Sequence, residues 1–362
     1  MSNPSQGCSY AVKTNRACWS LLGLPFDQVD GGQALEIIDQ AIATKTKCFL
    51  STPNLNFIVQ AKQDESFYES VIYSDLVVAD GMPVIWTAKL LGIPLRSRVA
   101  GSSLFERLQN TQRDKPISVF FFGGQGNVAQ QAADNLNRTS VGMIACGALN
   151  PGIGSVESMS SDDIIEKINA AQPDFLVVSL GAKKGQQWIM HNREKLDASV
   201  ISHLGAVVNF VGDTVQRAPL GWQKVGLEWL WRIVQEPLLW KRYFIDGLWF
   251  LRFMVTHVLP LALYQKLLQG RADKNLFMEI VSDVDGGSVE MQLGGSATAV
   301  NGVVLKSGCR RILDQLDAVP RVSINCADLD YIDSGGALGL FRVSRRIRRL
   351  MRLHGVEAFL LE

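Results

Sequence analysis

DLVVADGMPVIWTAKLLG, from Asp75 to Gly92, holds the key to the fold. Leu76-Val77-Val78-Ala79 is a short unbroken apolar run between polar residues, which predicts a strand, DLVVAD (75–80), buried on both faces. Asp80-Gly81 ends it. A helix is predicted over 83–92, opened by Pro83, because proline is tolerated in a first helical turn. A carboxylate thus stands where a strand hands over to a helix. Asp80 can cap the amide groups of that helix. It can also act on a ligand, because open parallel sheets bind ligands beyond the carboxyl ends of their strands. The pattern by itself leaves both uses open.

Outward from this stretch the same alternation repeats. CFLSTPN (48–54) reads as a strand and turn, and FIVQAKQDESFYESVIYS (57–74) as a helix. ISVFFFGGQG (117–126) reads as a strand and turn, NVAQQAADNLNR (127–138) as a helix and SVGMIACG (140–147) as a strand. SDDIIEKINAA (161–171) has the serine and acids of a helix start. DFLVVSLGAKKG (174–185) and VISHLGAVVNFVGD (200–213) read as the last strands of this part. Strand and helix in alternation predict an α/β fold, a parallel sheet covered on both faces. Thr52, Asp80, Gly123-Gly124 and Gly181 all fall at predicted strand ends. FFFGGQGNVAQQAA is an apolar strand, a Gly-Gly turn and a helix, and such a helix start suits phosphate. It is not GxGxxG, and a plain tight turn fits the same residues.

With 362 residues, the chain is long enough for two domains, and its 47% apolar and 20% charged residues are those of a globular protein. A net charge of +1 gives no general pull toward polyanions, and no nucleic-acid partner is expected. Six cysteines without a CxxC pair argue against a zinc site or disulfide framework and suit a reducing cytoplasm. Residues 1–19 are polar and lack the apolar core of a signal peptide. Residues 20–219 form the predicted sheet domain.

The composition changes after Pro219. WQKVGLEWLWRIVQEPLLWKRYFIDGLWFLRFM carries five of the eight tryptophans among lysines and arginines, so 220–272 is set apart as a basic, aromatic helical appendage. Tryptophan beside cations suits a membrane–water boundary, and equally a helical hairpin packed on a domain. GLWFLRFMVTHVLPLALY (247–264) is nearly long enough to span a bilayer, yet contains Arg252, His257 and Pro260. A central arginine costs about 2.5–3.5 kcal/mol on insertion scales, a cost that a helix lying at the interface avoids. A buried core helix is the other reading. From 273 to 362 a second α/β unit is predicted. Its strands are FMEIVSD, VEMQLGG and VSINCADLDYID, and its helices span 301–318 and 336–355. The last helix is rich in arginine, which reads as a solvated face or as a surface for anionic lipid, nucleic acid or an acidic partner.

LLGLPFDQVDGGQALEIIDQAI, STPNLNFIVQA, DLVVADGMPVIWTAKLLGIPLRSRVAGSSL, VFFFGGQGNVAQQAA, QPDFLVVSLGAKKGQQW and RAPLGWQKVGLEWLWRIVQEPLLWKRY follow one another over residues 20–245. In that order they resemble the TagA/WecG/CpsF glycosyltransferases. The resemblance implies a Rossmann-like sheet that moves a sugar, commonly N-acetylmannosamine, from a UDP-sugar to a polyprenyl-diphosphate-linked glycan. It further implies inversion at the anomeric carbon, no metal or other cofactor, and work at the inner face of the plasma membrane.

Carried over by matching position, Asp80 becomes the general base, with Thr52, Asn54 and Arg98 beside it in the catalytic group. The nucleotide-sugar side takes Gly123, Gly124, Gln125, Gly181, Lys184, Gln186 and Asn209. Arg217, with Arg232, Lys241, Arg242 and Arg252 of the basic appendage, stands toward membrane and acceptor. Two departures stand out. Lys183-Lys184-Gly185-Gln186 replaces the usual Pro-Lys-Gln-Glu, and Asn209 replaces a usual aspartate. Both suggest a different donor, such as another hexose or a uronic acid.

In the last ninety residues, INCADLDYIDSGGALGLFRV resembles the STAS domain of anti-sigma factor antagonists. That resemblance implies a protein partner and a phosphorylation site at Ser334, although Gly335 departs from the usual Ser or Thr. The expected function is therefore UDP-sugar-dependent glycosyl transfer in bacterial polysaccharide synthesis. The rival reading is a non-catalytic sensor of nucleotide sugars acting through its STAS-like unit.

Overall fold

A computed structural model describes residues 17–95, 97–219, 221–222, 226–268, 276–283, 288–297, 321–332 and 358–361. Two compact units emerge, one from residues 29–256, the other from 17–28 together with described residues from 257 onward.

The second unit contains an antiparallel hairpin, β1 (Cys18–Leu21) and β2 (Leu24–Asp27), which turns through Leu22-Gly23. The first unit is built on β3 (Cys48–Ser51), β4 (Leu76–Val77), β5 (Ile117–Gly123), β6 (Met143–Leu149), β7 (Phe175–Ser179) and β8 (Val200–His203). All six are parallel, in the order β4-β3-β8-β7-β5-β6. The predicted parallel α/β sheet is present.

Alternation along β5 shows how the sheet fills both faces. Val119 and Phe121 join one apolar cluster with α1 (Gly31–Ala43), α5 (Gly101–Asn110), α6 (Val128–Thr139) and α9 (Gly205–Val211). Phe120 and Phe122 join the other with α7 (Asp162–Ala170) and α8 (Ala182–Asn192), where Phe122 stacks on buried Trp188 at 4.3 Å. The Lys183–Asp64 ion pair and the Gln187–Ser66 hydrogen bond tie α8 to α2 (Leu55–Gln63) and α3 (Glu65–Ile72). Helices after β3 and β7 therefore leave on one face, while those after β5 and β8 leave on the other. Between such strands the carboxyl edge of a sheet opens into a crevice.

Four expectations change. The helix predicted over 57–74 is two helices, broken at Asp64. The Asp64 carboxylate accepts from Phe67 N at 2.7 Å and Ser66 Oγ at 2.8 Å, starting a new helix, and with Lys183 its pKa is pulled down to about 2. The run over 200–213 is a strand only to His203, then α9; an unbroken apolar run does not distinguish the two by period. Likewise, 174–185 is strand to Ser179 and helix from Ala182. The strand expected over 75–80 is ladder-paired only at Leu76–Val77, so Asp80 lies on a short extended exit. The structure also adds α1, opened by a capping box between Asp30 and Gln33, and α5.

Beyond the sheet, the described part of the aromatic appendage includes α10 (Glu228–Gln235) and α11 (Leu239–Phe253), followed by a π-helical turn (Met254–Val258) and a further helix (Leu259–Leu268). The helical stretch Leu239–Leu263 is long and apolar enough to cross a membrane. In the second unit, β9 (Leu276–Asp283), β10 (Ser288–Ala297), β11 (Arg321–Ile332) and β12 (Ala358–Leu361) form a sheet ordered β12-β11-β10-β9. Only β9 is antiparallel to its neighbour. The three predicted strands are there; the predicted helices over 301–318 and 336–355, and Ser334, lie outside the described residues.

Candidate active site

Three chain segments converge at the carboxyl edge of the first sheet. They are Thr52–Asn54 after β3, Asp80-Gly81 before α4 (Met82–Leu90), and Arg98–Gly101 at the start of α5. Backbone hydrogen bonds fix them: Asp80 N donates to Pro53 O at 3.0 Å, and Val99 N to Ala79 O at 2.8 Å. Gly101 allows a close approach, since a Cβ there would lie 2.5 Å from Leu204 Cδ2 and 3.2 Å from Thr52 Cγ2. Gly81 has φ +141° and sits against Asn54, whose Oδ1 accepts from Phe57 N at 3.2 Å and caps α2. Thr52, Asn54, Asp80 and Arg98 are thus brought together.

Asp80 does not cap α4. The N-cap of that helix is Gly81, and it has no side-chain cap. Instead, Asp80 Oδ2 accepts from Gly101 N at 3.4 Å, at the amino end of α5. Part of Asp80 remains accessible, but protein surrounds the carboxyl closely. Desolvation raises its pKa from 3.8 to about 6, against the pull of Arg98 and the Gly101 amide, and with a further push from Glu228. A carboxylate tuned into this range is ionised at neutral pH and still a useful proton acceptor.

Arg98 is held from the appendage. Its Nη2 donates to Glu228 Oε2 at 2.7 Å, and each side chain is 16% exposed. Glu228 opens α10, and Arg232, one turn on, also acts on Asp80 electrostatically. Arg232 in turn pairs with Glu236 at 3.1 Å and lies over Phe210. A ladder of Glu228, Arg232 and Glu236 at fourfold spacing therefore lines one face of α10. Neither Glu228 nor Gly101 figures among the sequence-predicted site residues. The i, i+4 charges in EWLWRIVQE were the available signal for Glu228.

A second group lies toward β5 and β7. Gly123 has φ +99°, and a Cβ there would meet Ser179 O at 2.5 Å, while Gly124 N donates to Ser179 O at 2.7 Å. Gly124 adjoins Val208 on α9, next to half-buried Asn209. Gln125 is exposed in the turn. Gly181 has φ +80° and open space where a side chain would be.

The remaining predicted residues are engaged elsewhere. Gln186 is fully buried and donates from Nε2 to Ser51 Oγ at 2.9 Å, bracing β3 from below, and Lys184 Nζ donates to Gly154 O at 2.7 Å. Arg217 bonds Ser103 Oγ at 2.6 Å and pairs with Glu106 on α5. Lys241, Arg242 and Arg252 are exposed on α11. At the end of β8, His203 is buried and neutral, its pKa pushed down to about 4 by desolvation, and its Nε2 has no hydrogen-bond partner among the described residues.

The appendage helix α11 rests on α2. Asn56 Nδ2 donates to buried Asp246 Oδ2 at 3.2 Å, and Lys62 Nζ lies 5.7 Å above the Phe253 ring. Away from that contact it exposes Trp240, Phe244, Ile245, Leu248 and Leu251.

The architecture is that of a Rossmann-like transferase domain, with the candidate site at its strand ends. The chain belongs to the glycosyl transferase WecG/TagA/CpsF family, whose sequence profile matches residues 19–262, including α11. Among its relatives is an N-acetylglucosaminyldiphosphoundecaprenol N-acetyl-beta-D-mannosaminyltransferase of Bacillus spizizenii, 31% identical over 195 residues, covering 54% of this chain and 74% of the relative. A Staphylococcus aureus protein of the same name is 24% identical over 232 residues, covering 64% of this chain and 88% of the relative.

Proposed function

We propose that this glycosyltransferase moves a sugar from a UDP-sugar to a polyprenyl-diphosphate-linked glycan, by a single inverting displacement with Asp80 as general base. The carrying observation is the Asp80 carboxylate, fixed at a strand end, with a pKa raised to about 6 and Arg98 beside it. The acceptor hydroxyl oxygen bonds to the anomeric carbon as its proton passes to Asp80. The anomeric carbon–oxygen bond to UDP breaks, and UDP leaves with the electron pair. Glu228, the neighbouring carboxylate, is engaged by Arg98, which leaves one free carboxylate and favours one displacement over a covalent intermediate.

The leaving diphosphate has its charge met by Arg98 and Arg232, and this supports a reaction without a metal. The Gly123-Gly124 turn and the open space at Gly181 supply backbone for the nucleotide. The activities for which the relatives are named support an acceptor of the N-acetylglucosaminyl-diphospho-undecaprenol kind and a donor of the N-acetylmannosamine kind. Asn209, half-buried beside the Gly123-Gly124 turn, is where a related hexose or uronic acid would be selected instead. The exposed aromatic and aliphatic face of α11, with Lys241, Arg242 and Arg252, supports docking at an anionic membrane surface where the lipid-linked acceptor resides. The carboxyl-terminal unit, by its STAS resemblance, is the part proposed to dock a protein partner, with Ser334 as its phosphorylation site.

The test is UDP release from a panel of UDP-sugars with polyprenyl-diphosphate acceptor and EDTA. Release with one sugar, undiminished by EDTA and reduced about 10²–10⁴-fold in Asp80→Asn, is expected. Full turnover in Asp80→Asn, or silence across the panel, overturns the reading.

A further inference from the structure

One cation, Arg98, lies within reach of two carboxylates, Asp80 and Glu228. Its short hydrogen bond, 2.7 Å from Nη2, goes to Glu228, although its charge also acts on Asp80. Both members of the pair are largely buried, so solvent screens it little. They come from distant parts of the chain, Arg98 from the approach to α5 and Glu228 from the first turn of the appendage helix α10. A guanidinium offers five N–H groups in a fixed fork, so pinning one nitrogen also sets the direction of the others.

We propose that Glu228 is a positioning residue: it holds Arg98 off Asp80, keeping the base free for the acceptor hydroxyl and the rest of the guanidinium fork directed at the leaving diphosphate. This rests on the reading of Asp80 as base. The groups that act on Asp80 are Arg98, Glu228, Arg232 and the Gly101 amide at the head of α5. Without the Glu228 carboxylate, the pull of Arg98 falls on Asp80, on which its charge already acts. A direct Arg98–Asp80 ion pair would stabilise the charged carboxylate and weaken it as a proton acceptor. The loss of the Glu228 charge acts in the same direction. In this arrangement the appendage contributes a catalytic alignment as well as an exposed surface.

Turnover of Glu228→Gln, measured against pH, tests the proposal. The wild-type acid limb, set by Asp80, is expected near pH 6, in line with its raised pKa. In Glu228→Gln, plateau kcat is expected to fall about tenfold or more while the acid limb moves down by about one pH unit. KM for the UDP-sugar is expected to change less than kcat. Glu228→Asp, which keeps the charge, should restore part of kcat and return the limb toward pH 6. In an Arg98→Ala background, Glu228→Gln should add little further loss of plateau kcat, because the positioning acts through Arg98, and only the direct effect of its charge on Asp80 is left.

An unmoved acid limb in Glu228→Gln, or a full additive loss in the double variant, overturns the inference. Should Glu228→Gln prove too unstable to assay, Glu228→Asp and the Arg98→Ala pair still decide it. The underlying reading fails separately: if Asp80→Asn keeps its turnover, the base assignment falls whatever Glu228 does.

Discussion

Asparagine at position 80 keeps the size of the side chain and removes the charge, and the structure sets what that does to stability. The carboxyl pKa rises from 3.8 to about 6 on folding, because protein replaces water around it. A folded-state pKa above the unfolded one means that holding the group ionised opposes folding. About two pH units at 1.36 kcal/mol each is roughly 3 kcal/mol, fully felt above pH 6 and fading as pH falls from 6 toward 4. Asparagine never carries that charge, and its Oδ1 can still accept from Gly101. Asp80→Asn is therefore expected to be more stable than wild type at pH 7.5 by about 2–3 kcal/mol. For a unit of this size, that raises Tm by several degrees. The advantage should shrink to near zero by pH 4. Thermal or urea unfolding of both proteins in detergent buffer from pH 4 to 8 measures it. A stability difference that does not change with pH, or an asparagine variant less stable at pH 7.5, would refute the account of Asp80 as a desolvated carboxylate. The same substitution should gain stability and lose catalysis, as expected of a residue placed for chemistry.

Two further expectations follow from packing. A Cβ on Gly185 would lie 2.3 Å from His203 Cδ2, so Gly185→Ala should destabilise the first unit by about 1–3 kcal/mol. Adding His203→Ala should recover part of that loss, and equal melting of single and double variants would show that the ring is not the obstacle. Replacing Phe244, Leu248 and Leu251 together by serine should sharply reduce co-sedimentation with anionic vesicles. Turnover of a soluble acceptor analogue should be largely kept, and unchanged sedimentation would remove α11 as the docking face.

Much of the transferase fold was legible because its strands are short apolar runs ending in Gly, Asp or Ser. DLVVAD, ISVFFFGG and DFLVVS each carry that mark, and the structure puts all three at the same edge of the sheet. What escaped reading had a physical reason. GAVVNFV lacks polar punctuation at helical spacing, so α9 looked like the tail of a strand. Asp64 hid a helix break because its effect depends on a carboxylate accepting the Phe67 amide, not on a glycine or proline. At the site, Asp80 stood out by its odd position. Glu228 did not, since its partner lies 130 residues away in sequence and only the fold brings them together.

Strand order has a consequence for the way this protein is made. β3 and β8 are sheet neighbours, and Ser202 Oγ bonds Leu50 O across 152 residues of chain. During synthesis, β3 and β4 emerge early, and β5, β6 and β7 assemble after them as a separate group. Until β8 emerges, no strand joins the two sets, and β3 presents an open apolar edge to the cell. The half that carries Thr52 and Asp80 must therefore wait, unsealed, for the chain beyond residue 200. A pause or truncation before β8 would leave that edge free to pair with other chains. The nascent enzyme should accordingly be most dependent on chaperones in the interval between the emergence of β4 and that of β8.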